Sequence, residues 1–512
     1  MINEEQGGDP SLAPVVEAGR NCWRIERAAR AAAVVDAADY YHYVREAMLA
    51  ARRRILIIGW DFDTRIALEP DGNGHGESLG HFFLRLAREN PARQIDILKW
   101  SFGALKQFLR PRAAWMLLRW QMTRAIDFRF DSFHPAGCSH HQKIVVIDER
   151  FAVCGGIDIS CARWDTTAHA DDDPRRTLPD GKPYGPWHDV TMMLDGDAAQ
   201  ALADLGRDRW KHATRRDLPP AEDGHDHWPD DAEVDFRDVD IAVARTRAAW
   251  RDCAEVREIE ALWLDMIAAA RRFIYIENQY LTSGRIAAAI AARMEEDDPP
   301  EIVVVMPRSA DGWLEQKAMD AARVLLARAI GKADRLNRFR IYVPVTGGGA
   351  DIYVHAKVAI VDDRLLKIGS ANLNNRSMGL DSECDVIIDA ALPANADTPP
   401  AIAALRTRLL AEHLDVSPED FAARFAETGS LVDTIEALRG QGEALRGPGK
   451  TLDLLDLEKP GPLDQFIAGN ELLDPEDPDG FFEPLHKRGL RMRWREGMAR
   501  LKGRIRRRPR RR

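Results

Sequence analysis

Short runs of β-branched and aliphatic residues alternate along this chain with longer, Ala-rich stretches of helical periodicity. Ile55-Leu-Ile-Ile58, Lys143-Ile-Val-Val-Ile147 and Ile302-Val-Val-Val-Met306 are strand-sized, which predicts buried strands. Residues 20–50 read as helical, as do residues 104–122, where Pro111 sits near the middle or the start of the helix. Val354–Val361 predicts another strand, turning at Asp362-Asp-Arg364 into a return strand at Leu365–Ile368. Lys143–Ile147 likewise turns at Asp148-Glu-Arg150 into Phe151–Cys154. Residues 165–186, rich in Asp, Pro and Gly, predict a loop over the first half, and the acidic residues 219–240 a linker.

These elements come twice. Val44–Trp60 (VREAMLAARRRILIIGW) aligns with Leu262–Asn278 (LWLDMIAAARRFIYIEN): an Ala-rich helix, paired arginines, then a β-branched strand, 218 residues apart. His141-Gln-Lys143-x4-Asp148 recurs 214 residues later as His355-Ala-Lys357-x4-Asp362, each with a Gly 14 residues after its His. Such self-similarity fixes the architecture before any other reading. It predicts an α/β protein of two homologous halves, each a mixed β-sheet sandwiched by helices, with the active site between them on a pseudo-twofold axis. The divisions that follow are an N-terminal lead over 1–30, a first half over 31–215, an acidic linker over 216–250, a second half over 251–415, a poorly packed connector over 416–486 and a polybasic tail over 487–512.

One His-x-Lys-x4-Asp arises readily by chance; two copies with matching followers, Gly155-Gly-Ile-Asp158 and Gly369-Ser-Ala-Asn372, do not. His and Lys at i and i+2 of a strand share a face, so each half contributes an imidazole and an ammonium to one ligand. Two ammonium groups suit the charge that spreads over the oxygens of a phosphodiester under attack, without a metal. Two histidines, one neutral and one protonated, supply a nucleophile and a general acid. Asp189 in Pro186-Trp-His-Asp189 and Glu383 in Asp381-Ser-Glu383 are candidate carboxylates to orient them.

The double motif resembles the phospholipase D superfamily. Ile55-Leu-Ile-Ile-Gly59-Trp60, Arg163-Trp-Asp165, Pro186-Trp-His-Asp189 and Ile274-Tyr-Ile-Glu-Asn-Gln-Tyr280 bring it closest to the phospholipase D branch shared by plants, fungi, animals and some bacteria, over about residues 35–415. The resemblance implies a covalent phosphohistidine, with His141 attacking phosphorus and His355 protonating the leaving alcohol, then activating water or another alcohol. Lys143 and Lys357 would hold the phosphoryl oxygens, and Asp148 and Asp362 would brace the site rather than act as bases. No cofactor and no catalytic metal are implied. Asp158, Asn372, Asn374, Trp187 and Tyr280 are candidate substrate contacts. A choline headgroup would favour an aromatic cage, for which Trp164, Tyr184, Trp187, Tyr280 and Tyr353 lie near the motifs.

The expected activity is hydrolysis of a phospholipid's distal phosphodiester to phosphatidic acid and free headgroup, with exchange onto alcohols. A cardiolipin-synthase-like phosphatidyltransferase, a nuclease using the same site and a noncatalytic basic-tailed binder are the alternatives. Composition, with 45% hydrophobic and 30% charged residues, is that of a globular protein. The start of the chain lacks a basic then apolar signal, and no apolar run reaches the ~20 residues of a membrane span, so the expected location is cytoplasmic. Six scattered cysteines without a CxxC suit reduced thiols, and Cys154 and Cys161 read as packing residues.

From Lys487 to Arg512 fourteen basic residues face Glu496 alone, so the tail carries +13 and the remainder −23 of a net −10. Interleaved with Leu490, Trp494 and Met498, this tail would draw the protein peripherally onto anionic lipid, and could equally bind nucleic acid. Phe108, Trp115, Leu118, Trp120 and Met122 mixed with arginines read either as a lipid-docking helix or as core packing. His225-Asp-His227 has the look of a metal-ligand pair in an acidic linker.

Overall fold

The computed structural model describes residues 13–101, 111–221, 223–309, 313–444, 449–457 and 474. Its centre is a 16-stranded mixed sheet. One half of the sheet runs from an edge at Ile126–Asp131 through Gln94–Trp100, Arg54–Gly59, Ile144–Ile147, Phe151–Gly155 and Val190–Asp195 to Arg24–Val35. The other runs from Phe339–Val345 through Glu301–Val305, Phe273–Glu277, Val358–Val361, Leu365–Gly369 and Glu383–Asp389 to Phe236–Arg247. In both halves the three strands at the outer side pair parallel and the rest antiparallel, as a duplication requires. The halves meet where Arg24–Val35 pairs antiparallel with Phe236–Arg247, so their two sheets are one continuous sheet.

Helices cover both faces. Ala37–Ala50, Leu79–Glu89 and Pro111–Gln121 close the outer face of the first half. Glu258–Ala269, Gly284–Met294 and Trp313–Ala333 do so for the second. Gly196–Thr214 and Pro399–Leu414 pack into the core shared by both halves.

Several expectations change. Residues 20–50 are not one helix: Arg24–Val35 is a strand and only Ala37–Ala50 is helical. Ala31, Ala33 and Val35 face the shared core while Ala32 and Val34 face the outer one, a period of two that pairing on both edges imposes over alanine's helical propensity. The linker span contains a 12-residue central strand, Phe236–Arg247, because its alternate residues Val239, Ile241 and Val243 are buried in the shared core. The connector is packed over its described part: helices Pro418–Thr428 and Leu431–Ala444 bury Phe421, Leu431 and Ile435, and Thr451–Leu454 adds an edge strand to Phe339–Val345. Ser417 and Gly429 cap the first of these helices.

Of the helix read over residues 104–122, the described part is Pro111–Gln121. It divides the aromatic stretch: Trp120 is buried and donates to the Gly80 carbonyl at 3.1 Å, while Trp115, Leu118 and Met122 are exposed. Phe108 and the tail 487–512 lie outside the described residues. Residues 165–186 form a loop, as read, and all six cysteines are free. Among the described residues no helix is long and apolar enough to cross a membrane.

Candidate active site

Both motif histidines and their lysines sit just ahead of the strands Ile144–Ile147 and Val358–Val361 rather than on them as predicted, and both histidines are tied to the opposite half through the backbone. The His141 amide donates to the Ser382 carbonyl at 2.9 Å, and the His355 amide to the His188 carbonyl at 2.8 Å. Each partner immediately precedes a candidate acid. The side chains therefore cross as well: His141 Nδ1 lies 3.0 Å from both oxygens of Glu383, and His355 Nδ1 lies 2.6 Å from Asp189 Oδ2. Neither acid serves the histidine of its own half. A short parallel pairing of Trp187–His188 with Tyr353–Val354 fixes the second crossing. Gly156 makes room for it, since a Cβ there would meet Asp189 Oδ1 at 2.0 Å.

With Nδ1 held by a carboxylate, Nε2 of each ring is left for chemistry. The His141 and His355 side chains are only 13% and 8% exposed. Burial, then the nearby lysines, hold His141 well below the usual histidine range. Burial, Lys357 and Arg163 do the same to His355. Burial raises Glu383 to about 7, against the pull of Lys143 and hydrogen bonds from Ser370 (2.5 Å) and Ser377 (2.6 Å). It raises Asp189 to about 6, against the pull of Lys357.

The lysines differ. Lys143 Nζ donates to the His141 carbonyl at 2.9 Å and lies 3.3 Å from Asp158 Oδ2. Lys357 Nζ donates to the His355 carbonyl and lies 3.5 Å from the amide oxygen of Gln279. Burial lowers Lys357 to about 7. Asp158 also accepts from the amides of Trp60 (3.0 Å) and Asp61 (3.2 Å), whereas the side-chain oxygen of Asn372, in the matching place, is buried and without a hydrogen-bond partner.

Asp148 and Asp362 do not touch the histidines. Asp148 accepts from the backbone amides of Arg52, Arg53 and Arg54 at 2.5–2.8 Å, and Asp362 from those of Arg271, Arg272 and Phe273 at 2.7–2.8 Å. They pin the turn after each half's first α/β helix to the far end of the motif strand, which explains the conserved spacing between the two copies. Asn374 is a helix cap, accepting from the Ser377 amide at 2.9 Å, so it acts on the site only through Ser377 and Glu383. Trp187 stacks on Tyr353 (4.6 Å) beside His355 (5.2 Å), and Arg163 lies over its ring at 4.1 Å. Tyr280 accepts from Gln279 at 3.2 Å and packs on Met319; Trp164 and Tyr184 pair with each other through a 2.9 Å hydrogen bond. His227 binds Asp148 at 2.8 Å and His225 meets Arg52 at 3.0 Å, so this pair does not converge on a metal.

Sequence reasoning missed Trp60, which stands edge-on to His141 at 6.0 Å, and the roles of Gln279, Arg163, Ser370 and Ser377. Trp60 and Gln279 follow the ends of the two aligned strands, Arg54–Gly59 and Phe273–Glu277, by one and two residues, and that position was the available signal.

A family model described as "Cardiolipin synthase, PLD-like domain" matches residues 263–398, which contain the second motif. Phospholipase D A of Dictyostelium discoideum is 25% identical over 425 residues, covering 69% of this chain and 32% of that protein. Phospholipase D delta of Arabidopsis thaliana is 24% identical over 420 residues, covering 55% and 48%. The chain thus spans about a third and about half the length of these curated relatives. Among solved structures, phosphatidylserine synthase of Haemophilus influenzae Rd KW20 is 14% identical at a TM-score of 0.49, covering 75% of this chain and 94% of that one. A duplicated His-x-Lys-x4-Asp cassette, a family model over its second copy and phospholipases D matching more than half of its length place this chain in the phospholipase D superfamily.

Proposed function

We propose that this protein is a phosphodiesterase that hydrolyses the distal phosphodiester of glycerophospholipids to phosphatidic acid and free headgroup. The observation that carries the reading is the crossed pair: two imidazoles, each held through Nδ1 by a carboxylate from the other half, with a lysine beside each. His141 Nε2 attacks phosphorus and forms the phosphoryl-histidine, while His355 Nε2 gives its proton to the headgroup oxygen as the P–O bond breaks. His355 then takes a proton from water, whose oxygen attacks phosphorus and releases His141. An alcohol in place of water gives the transphosphatidylated lipid.

Charge supports this division. In the free site, burial and the lysines disfavour a charged His355. A phosphodiester anion seated between Lys143 and Lys357 offsets that positive charge and favours the imidazolium. The 2.6 Å contact to Asp189, shorter than the 3.0 Å contacts of His141, suits a charge-assisted bond at His355. Contact with lipid would come from the exposed Trp115, Leu118 and Met122 and from the basic tail.

The family description over residues 263–398 favours a second reading, phosphatidyl transfer to a glycerol-type acceptor by the same steps. Incubating the purified chain with mixed phospholipid vesicles, with and without a primary alcohol or glycerol, and identifying products by mass spectrometry tests both. Phosphatidic acid plus a phosphatidyl-alcohol, absent with His355→Ala, is the expected result. Product only with glycerol or phosphatidylglycerol would favour transfer, and no lipid product would overturn both.

A further inference from the structure

Behind Asp189 the structure buries a set of ionisable groups that the proposed reaction does not use. Asp36 comes from the turn after Arg24–Val35, His169 from the 165–186 loop, His188 from the strand beside His355, and Glu412 from helix Pro399–Leu414 of the second half. Four distances link them: His169 Nε2 to Glu412 Oε1 3.1 Å, His169 Nε2 to Asp36 Oδ2 3.4 Å, His188 Nδ1 to Asp36 Oδ1 3.2 Å, and His188 Nδ1 to Glu412 Oε1 3.2 Å. We propose that these four side chains form a buried, structural zinc site that clamps the two halves together.

The first argument is geometric. A tetrahedral zinc ion with ligands at about 2.0–2.1 Å sets its ligand atoms about 3.3 Å apart; the four contacts here are 3.1–3.4 Å, through both oxygens of Asp36, and one ligand atom from each residue lies within 4.8 Å of the others. The second argument is that two of these atoms lack a hydrogen-bond partner. His169 Nε2 and Glu412 Oε1 are within hydrogen-bond distance at 3.1 Å, but Asp36 Oδ2 and His188 Nδ1 are fully buried and make no hydrogen bond, although each has an opposite group within 3.4 Å. An ion at the centre of the cluster would satisfy both.

The third argument lies outside the four. His169 Nδ1 is held by Asp165 Oδ2 at 2.9 Å and His188 Nε2 by Glu277 Oε2 at 3.0 Å. A carboxylate on the far nitrogen fixes the tautomer that turns the other nitrogen's lone pair toward a metal. Those carboxylates are themselves held, Asp165 by Arg176 (3.1 Å) and the Trp187 amide (2.9 Å), Glu277 by His413 (3.1 Å) and Tyr275. Two carboxylates and two neutral imidazoles carry −2, which a divalent ion cancels. His188, Glu277 and His413 also cluster, but only three groups meet there and their contacts are satisfied hydrogen bonds. The ion would stand apart from the chemistry, yet it would stiffen the orienting acid, since the Asp189 amide donates to Asp36 Oδ1 at 3.1 Å and the Asp36 amide to the Asp189 carbonyl at 2.8 Å.

The test uses the full chain, made without a histidine tag in medium containing zinc, iron and manganese. Elemental analysis is expected to give about one zinc per chain, and zinc-edge absorption a shell of two nitrogens and two oxygens at about 2.0 Å. Stripping with dipicolinate should lower the melting temperature by about 5 °C or more, and zinc should restore it. His169→Gln and Glu412→Gln should each cut bound zinc about tenfold or more, as loss of a ligand does, while His225→Gln retains it. A folded chain with under about a tenth of an equivalent of any transition metal, and no thermal response to added zinc, overturns the proposal. Zinc retained by both variants overturns it too, and iron or manganese lost from both overturns the choice of zinc. If a variant does not fold, metal content and chelator response of the unaltered chain decide. None of these readouts depends on the phosphodiesterase reading.

Discussion

The two halves hold the same His-x-Lys cassette in different electrical settings. Lys143 sits 3.3 Å from the carboxylate of Asp158, which is held in turn by two backbone amides. Lys357 has an amide oxygen, Gln279, where a charge could have been, and Asn372 stands where the first half has Asp158. One ammonium therefore has a carboxylate at 3.3 Å, and the other donates to neutral oxygens, with Asp189 and Glu383 acting on it electrostatically. Under the proposed reaction the Asp/Asn difference would divide the labour between the copies: the buried Lys357, drawn down to about 7, would gain most when a phosphate anion arrives.

Several experiments break or sharpen this contrast. Removing the attacking ring is expected to cost most: His141→Ala should lower phosphodiester turnover by about 10⁴-fold or more with an unchanged circular dichroism spectrum. If the lysines are as unequal as their surroundings, Lys357→Ala should cost about 10³-fold in kcat and Lys143→Ala about tenfold less; equal losses would remove the distinction. A Gln at Glu383 keeps the shape but presents no carboxylate to His141 Nδ1, and about a 10²-fold loss in kcat is expected.

The same two groups set the pH dependence. Glu383, raised to about 7, gains a proton as pH falls and stops accepting from His141; Lys357, lowered to about 7, loses its charge as pH rises. Activity should fall on both sides of a narrow maximum near neutrality, and Lys357→Arg should extend the alkaline side, because a guanidinium stays charged. Gly156→Ala should displace Asp189 from His355, costing about tenfold in rate and about 1–3 kcal/mol in denaturant-measured stability. The smallest catalytic effects belong to Asp148→Asn and Asp362→Asn. Both should lower the melting temperature by a few degrees while kcat changes by less than about threefold, since these acids hold backbone amides away from the rings.

The duplicated half, its order of helix and strand and the four cassette side chains were legible in the sequence because a repeat states its own register. Which acid serves which histidine was not: His141 and Glu383 are 242 residues apart, and their meeting depends on the His140–Ser382 bridge, a tertiary pairing with no local signature. Arg24–Val35 misled for a related reason. Its alanines favour a helix locally, and two flanking strands override them. The small helices of 418–444 were hidden by their charged outer faces, whose buried residues Phe421, Leu431 and Ile435 are too sparse to read as a core stripe. Asp148 and Asp362 were read as braces of the site; in the structure they accept from the amides of the turn, away from the rings.

The crossing of acids between halves also has a consequence for the order of synthesis. His141, Lys143 and Asp189 are made long before Glu383, and until that last strand is laid in place His141 lacks the carboxylate that holds its Nδ1. A nascent or proteolytically clipped chain that keeps one half intact therefore holds no working imidazole–acid pair. Under the proposed reaction, phosphodiester chemistry would therefore wait for both halves to be in place.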